Sequence, residues 1–102
     1  MSISGIMHTA VSGMGAQATR VGAIANNVAN VETPGYGRLN TSLSTGPGPS
    51  GVQASVSQTA SEVDPAAELT DMVEATQSYK ANAAVFETGA DLWDVLMSIK
   101  RD

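Results

Sequence analysis

Two segments, one at each end of the chain, carry apolar residues at the alternating three- and four-residue spacing of a helical seam. The N-terminal seam consists of Ile3, Met7, Ala10, Met14, Gln17, Val21, Ile24, Val28 and Val31. The C-terminal seam consists of Leu69, Met72, Thr76, Tyr79, Ala83, Phe86, Ala90, Trp93 and Met97. Such seams pack against other helices, so the two ends can pack on each other or on neighbouring copies. The spacing predicts a mainly helical building block rather than an enzyme.

The N-terminal seam predicts a helix over residues 2–30 that ends by about Val31, although four glycines lie inside it. They are Gly5, Gly13, Gly15 and Gly22. Each glycine costs about 0.5–1 kcal/mol relative to alanine in a helix interior. One interpretation is a weak helix rescued by packing, and the other is small residues that let helices approach closely in a crowded assembly. Both interpretations require a partner surface.

A turn is predicted directly after this helix, where Asn30 can act as its C-terminal cap. Thr33, Pro34, Gly35 and Tyr36 follow. Proline presets its own φ and glycine tolerates a positive φ, so this order favours a type II turn. Two interpretations of Tyr36 stay open, since it can anchor the turn on a neighbouring element or stand exposed to solvent.

The middle of the chain predicts a short β-hairpin across a proline- and glycine-rich loop at residues 46–51. Val52, Ala54 and Val56 alternate with polar residues, as expected for a strand, and can pair with the segment that contains Leu39 and Leu43. An isolated two-stranded hairpin is marginally stable in water.

A second helix is predicted from Pro65 to about Lys100. Asp64 can cap its first turn, and Pro65 fits the first helical position because the missing N–H is not needed there. Glu68 and Asp71 early in the helix complement its dipole. At about 1.5 Å per residue the helix is roughly 50 Å long, so it needs lateral neighbours.

A single copy has too few large apolar side chains for a stable core. The hydrophobic content is 42%, but much of it is alanine, with one Phe and one Trp. A second apolar stripe beside the C-terminal seam widens the apolar arc beyond what one partner helix can cover; it consists of Val85, Leu92, Leu96 and Ile99. We therefore expect the isolated chain at low concentration to be largely unfolded or partly helical.

The sequence favours no catalytic, cofactor or metal site. His8 has no identifiable second ligand and is expected to face solvent. The acidic residues Glu62, Asp64, Glu68, Asp71 and Glu74 fit no calcium loop and are better explained as dipole complement and a solvated face. The net charge of -5 argues against nucleic acid as a partner. There is no cysteine, no transmembrane run and no cleavable signal peptide pattern.

The stretch from Ala25 to Tyr36, with Asn26, Asn27 and Asn30 ahead of Thr33-Pro34-Gly35-Tyr36, resembles the N-terminal signature of bacterial flagellar axial proteins. That family includes rod, hook and hook–filament junction proteins. Residues 63–75, followed by Tyr79, Ala81, Asn82 and Ala83, look like the C-terminal rod domain of the same family. Both matches lie at the expected ends, and the short middle makes the chain most like a minimal proximal rod protein.

The resemblance implies that the two terminal helices pair as an antiparallel coiled coil, and the residues between them predict the joining loop with its short hairpin. Three segments are expected: a rod helix at 1–31, the turn and linker at 32–63, and a second rod helix at 64–102. The resemblance also implies export unfolded through the flagellar type III apparatus, folding on assembly in the periplasmic rod of the basal body, and contacts with other axial proteins and with copies of itself.

The expected assembly residues come from both helices and the turn between them. The interface residues are Ile3, Met7, Met14, Val21, Ile24, Val28, Leu69, Met72, Tyr79, Phe86, Trp93, Leu96 and Met97. An alternative function of a different class is a small secreted helical adaptor or assembly regulator that uses rod-like helices. The connection of about thirty residues disfavours the tight hairpin that such an adaptor would need.

Overall fold

The computed structural model describes residues 2–47 and 51–101. The elements are helix α1 (Ile3–Ala29), strand β1 (Leu39–Thr45), strand β2 (Val52–Gln58) and helix α2 (Pro65–Arg101). This order confirms the predicted mainly helical fold with a β-hairpin between two long helices. Residues 48–50, in the predicted proline–glycine loop, lie outside the described residues.

Both helices begin at residues whose side chains cap the first turn. The Ser2 hydroxyl accepts a hydrogen bond from the Gly5 backbone N–H at 3.0 Å, and Asn30 is the C-cap of α1. At the start of α2 the Asp64 carboxylate accepts from the Ala66 N–H at 3.1 Å, directly before Pro65. The predicted boundaries of both helices are therefore confirmed to within a residue or two.

The two helices pack antiparallel in a constant register. Asn27 is hydrogen-bonded to Glu68 near one end, and Gly13 lies against Asn82 further along. The two contacts are 14 residues apart on each helix, from Asn27 back to Gly13 on α1 and from Glu68 to Asn82 on α2. The register is therefore the same at both contacts. A Cβ atom added to Gly13 would lie 2.8 Å from the Asn82 side chain. The close approach that glycine permits therefore occurs within one chain.

The residues of α2 that face α1 each come one position before a residue of the C-terminal seam. Glu68, Ala75 and Gly89 are buried, whereas Leu69 and Tyr79 of the seam are 67% and 44% exposed. Half-buried seam residues flank the contact; they are Met72, Ala83, Phe86 and Ala90. The seam thus borders the intramolecular contact and leaves most of its large side chains accessible.

Among the described residues, the buried apolar side chains are four alanines and one isoleucine. They are Ala10, Ala16, Ala23, Ile24 and Ala75. Burying a methyl group stabilises far less than burying a leucine or phenylalanine side chain, which contributes about 1.5–3 kcal/mol. The interior of the helix pair is accordingly thin, as the composition predicts.

The C-terminal end of α2 extends past the beginning of α1. With 37 residues against 27, α2 is about 55 Å long and α1 about 40 Å. Met7 of α1 lies level with Gly89, and Ile3 borders a groove with Leu92. Residues 93–101, here called the α2 overhang, therefore continue beyond α1, and residues 91–100 are all exposed.

The β-hairpin lies along α1. Strands β1 and β2 pair antiparallel from Leu39–Gln58 at the base to Thr45–Val52 at the tip. The base contacts Asn27, and at the tip the Val52 N–H donates to the Ser12 hydroxyl at 3.0 Å. Ser12 and Asn27 are about 22 Å apart along α1, and a seven-residue strand spans about 23 Å. The hairpin is therefore fastened to one helix at both of its ends.

Candidate assembly interface

The segment after α1 forms the predicted turn. Gly35 has a φ of 75°, and the Tyr36 N–H donates to the Thr33 carbonyl at 3.2 Å. Proline before a positive-φ glycine, closed by this bond, is the arrangement of a type II turn. The Asn30 amide donates to the Asn26 carbonyl at 2.9 Å and its oxygen accepts from the Thr33 hydroxyl at 3.1 Å. The turn motif is thus held by its own side chains.

Asn27 is fully buried and makes four hydrogen bonds. Its amide oxygen accepts from the Leu39 N–H at 2.7 Å and from the Tyr36 hydroxyl at 3.0 Å. Its amide nitrogen donates to the Leu39 carbonyl at 2.9 Å and to Glu68 at 3.3 Å. One side chain therefore joins α1, the turn, β1 and α2. The bond from Tyr36 also decides between its two interpretations, because the ring anchors the turn on α1.

Glu68 is the acidic partner of Asn27 and is also fully buried. The Arg38 guanidinium, 23% exposed, donates through Nε to one carboxylate oxygen of Glu68, while Asn27 donates to the other. A buried carboxylate needs such partners because water no longer solvates it. We call Asn27, Tyr36, Arg38 and Glu68 the polar junction.

Further ion pairs extend from the polar junction towards solvent. Arg38 also contacts Asp71 at 3.2 Å, and Arg20 of α1 lies 3.6 Å from Asp71 and 3.4 Å from Glu74. Glu74 is 65% exposed, so its pair with Arg20 is screened by water. Two of the five Lys and Arg residues of the chain, Arg20 on α1 and Arg38 just before β1, therefore hold α2 in place.

Glu68 is an acidic residue of the first turn of α2, as the dipole interpretation predicts, but the prediction that it belongs to a solvated face is wrong, and for Asp71 the same interpretation is incomplete. Glu68 is buried against Arg38 and Asn27, and Asp71 joins two arginines. Arg20, Arg38 and Glu68 were not predicted to form a site. The sequence does hold a signal for Glu68, because it stands seven residues before Ala75. Glu68 and Ala75 therefore lie on the same side of α2, the side that packs on α1.

The structure separates the predicted interface residues by exposure. Ile24 is buried, and half-buried positions next to the helix contact are Ile3, Met7, Met14, Val21, Met72 and Phe86. The exposed ones are Val28, Leu69, Tyr79, Trp93, Leu96 and Met97, at 42–67% exposure. Trp93, Leu96 and Met97 come together on the α2 overhang. Large apolar side chains concentrated on one helix are typical of a surface that another protein covers.

Other chemistry is not assembled in the described part of the chain. His8 is exposed on α1. Within residues 2–47 and 51–101, His, Asp and Glu side chains form no group that could hold a metal ion. Neither described helix combines the length and apolar character needed to cross a bilayer.

Two models of known families match this chain, one at each end. Residues 7–36 match the model described as flagella basal body rod protein, and residues 55–99 match the C-terminal model of the flagellar basal body rod FlgEFG proteins. The first match covers most of α1 and the turn, and the second covers most of β2 and α2. The chain belongs to the flagellar axial protein family.

Hook proteins are among its relatives in this family. The chain is 58% identical over 41 residues to the flagellar hook protein FlgE of Brucella suis biovar 1, a stretch that covers 40% of this chain and 10% of that protein. It is 49% identical over 51 residues to FlgE of Rhizobium meliloti, covering 50% of this chain and 13% of that protein. The chain spans about a tenth of the length of these hook proteins. Proteins of this axial family are structural components of the flagellum.

Proposed function

We propose that this chain is a structural subunit of the flagellar basal-body rod. The observation that carries the proposal is the uncovered apolar surface of α2, in a chain whose two helices both match rod-protein families. Leu69, Val73 and Tyr79 are exposed along its first half, and the α2 overhang adds Trp93 and Leu96. A subunit that is surrounded by neighbours in a tube would bury such a surface.

The lateral contacts of the proposed subunit are made by the two seams. On α2 the exposed members of the C-terminal seam border the contact with α1, so a neighbouring helix can lie beside the pair without displacing α1. Past the buried Ile24, the exposed Val28 at the end of α1 and Val31 in the turn after it continue the N-terminal seam. Other axial proteins and further copies of this chain are the partners that we propose for these surfaces.

The thin interior of the helix pair supports export in an unfolded state. Its buried apolar residues are Ile24 and four alanines, so little free energy opposes unfolding for transport. The chain would pass through the flagellar export apparatus and fold when it docks on the growing rod in the periplasm. Folding and assembly would then be one step, because the contacts that stabilise the helices are supplied by neighbours.

The three expected segments have separate roles in this proposal. Residues 1–31 and 64–102 supply the helices of the rod, and residues 32–63 supply the turn and hairpin that lead the chain away from the helix pair and back. The turn motif, closed by Gly35 and anchored through Tyr36 on Asn27, fixes the direction in which the chain leaves α1.

Deleting the gene tests the proposal in the source bacterium. We expect loss of swimming and absence of hooks, with both restored by the intact gene. Normal swimming of the deletion strain would contradict a role as a rod subunit.

A matched pair of variants tests the proposed surface. Tyr79→Glu places a charge on the C-terminal seam, whereas Ala81→Glu places the same charge on an exposed position on another side of α2. We expect Ala81→Glu to restore swimming and Tyr79→Glu to fail. Equal restoration by both variants would contradict the use of the seam.

A further inference from the structure

The side of α2 that packs on α1 repeats every seven residues and continues past the end of α1. Glu68, Ala75, Asn82 and Gly89 are seven residues apart, and the described contacts place Glu68, Asn82 and Gly89 against α1. The next position in this series is Leu96, which lies on the α2 overhang and is 49% exposed. A helix repeats its face every seven residues to within about 20°. Leu96 therefore lies on the same side of α2 as Gly89. Gly89 contacts Met7 of α1, whereas Leu96 lies beyond the beginning of α1.

A second register of the helix pair would cover this face. If α2 moved by one heptad, about 10 Å along its axis, Leu96 would lie level with Met7. Gly89 would then lie level with Gly13, and Ala75 with Asn27. Gly13, Gly89 and Ala75 are small, so two of these levels offer no steric barrier. At the third level Leu96 would replace Gly89 against Met7, and the flexible Met7 side chain would have to turn aside. Residues 59–64, which connect β2 to α2, can span about 20 Å when extended.

Apolar burial favours the shifted register. In the observed register Leu92, Leu96 and Ile99 are 49–67% exposed. In the shifted register α1 would cover part of them, and the alanines on the contact face would exchange one methyl contact for another. Burial of apolar area lowers the free energy in proportion to the area covered. Burial of the α2 overhang would therefore favour the shifted register, against the loss of the close contacts that Gly13 and Gly89 make in the observed one.

The polar junction opposes this movement. In the shifted register Glu68 would leave both Arg38 and Asn27, and the side chain of Ala75 offers Asn27 no acceptor. The bonds from Asn27 to Leu39 and Tyr36 join residues of α1, β1 and the turn, so they would survive the shift. The contact between Glu68 and its two partners is thus specific to the observed register. Buried polar groups are known to select one register among several of similar apolar content.

We infer that the polar junction sets the register of the helix pair and so keeps the apolar face of the α2 overhang uncovered. The ion pair between Glu68 and Arg38 would have to break before α2 could slide along α1, and we call this pair the lock. The inference concerns the helix pair within one chain, at concentrations where its helices form, and it stands or falls independently of the proposed rod function.

Cysteine pairs can report the register directly, because the natural chain has no cysteine. A Cβ atom on Gly89 would lie 2.7 Å from the Met7 Cγ, so the two Cβ atoms are within about 4.2 Å, as a disulfide requires. Met7→Cys with Gly89→Cys therefore reports the observed register. Met7→Cys with Leu96→Cys reports the shifted one. Both pairs are oxidised in the full chain under conditions where circular dichroism shows helices, and the cross-linked monomer is quantified by mass.

The lock is removed by Arg38→Met with Glu68→Leu, which replaces the ion pair by apolar side chains of similar size. The control is Arg20→Met with Glu74→Leu, which removes the same two charges from an ion pair whose acidic member is 65% exposed. We expect the first pair of substitutions to raise the yield of the 7–96 cross-link by about tenfold or more at the expense of the 7–89 cross-link. The control should retain the 7–89 cross-link alone.

Three results would overturn the inference. They are an exclusive 7–89 cross-link without the lock, loss of both cross-links while helix content persists, or an equal shift in the control. If the apolar variant does not fold, Glu68→Gln serves as the second variant, because it keeps the shape and removes the charge. It should give a 7–96 yield between those of the natural and lock-free chains, and an unchanged yield would contradict the lock.

Discussion

The side-chain amide of Asn27 binds the backbone of Leu39 as a neighbouring strand would bind it. Its oxygen accepts from the Leu39 N–H at 2.7 Å and its nitrogen donates to the Leu39 carbonyl at 2.9 Å. The outer edge of β1 is therefore satisfied at its first residue by α1. This relationship explains why an asparagine, a weak helix former, stands inside the last turns of α1.

Replacing Asn27 by alanine should destabilise the folded chain by about 2–3 kcal/mol, because the part-buried N–H and C=O of Leu39 and the buried Glu68 lose a partner. Asn26→Ala is the matched control, since Asn26 is exposed and its side chain bonds only within the turn. The measurement is the urea midpoint at one fixed protein concentration. Equal midpoints for the two variants would show that the Leu39 bonds contribute nothing.

Arg38→Met should cost about 3 kcal/mol of stability, because it leaves the Glu68 carboxylate buried with Asn27 as its donor at 3.3 Å. Arg20→Met removes the pairs with Asp71 and Glu74, which are both more water-screened than Glu68, and should cost less than about 1 kcal/mol. The same denaturation assay measures both variants. A larger loss from Arg20→Met than from Arg38→Met would contradict the importance given to burial.

Glycines in α1 should respond to alanine according to the space around them. A Cβ atom on Gly15 meets nothing within 4 Å, so Gly15→Ala should stabilise the chain by about 0.5–1 kcal/mol. The same change at Gly13 should give no gain, because the new Cβ would press on the Asn82 side chain at 2.8 Å. Thermal unfolding followed by circular dichroism compares them. Equal gains at both positions would show that the helices do not approach closely at Gly13.

The tip of the hairpin should loosen when Ser12 is replaced. The Ser12 hydroxyl accepts from the Val52 N–H at 3.0 Å and donates to the Thr9 carbonyl at 2.7 Å. We expect Ser12→Ala to speed hydrogen exchange of the Val52 amide roughly fivefold, the equivalent of about 1 kcal/mol. Exchange at Val52 should be unchanged in Ser4→Ala, which alters an exposed position of α1. Equal exchange rates of the Val52 amide in the two variants would show that Ser12 does not attach the hairpin tip to α1.

Local chemistry made much of the fold predictable from sequence. The beginning of α2 follows from Asp64 and Pro65, and the turn follows from Pro34 and Gly35, because caps and turns depend on neighbouring residues. The alternation around Ala54 likewise predicts β2. The contact between Asn27 and Glu68 could not be predicted, since the two residues are 41 positions apart. A carboxylate in the first turn of a helix is explained as readily by the helix dipole.

The choice of contact side on α2 was also beyond sequence periodicity. Large side chains such as Leu69 and Tyr79 dominate the pattern, whereas the residues that meet α1 include Ala75 and Gly89, which contribute little to it. Periodicity identifies an apolar surface that another helix is expected to bury, but it does not say whether that helix belongs to the same chain. Here the strongest part of the pattern lies beside the intramolecular contact.

The dependence of folding on neighbouring copies is tested most directly by thermal unfolding of the purified chain over a wide range of concentration. Because the interior is mostly alanine and the apolar surface of α2 is uncovered, we expect low helix content in dilute solution and a melting temperature that rises with concentration. A cooperative melt of a folded monomer, at the same temperature at every concentration, would contradict this account.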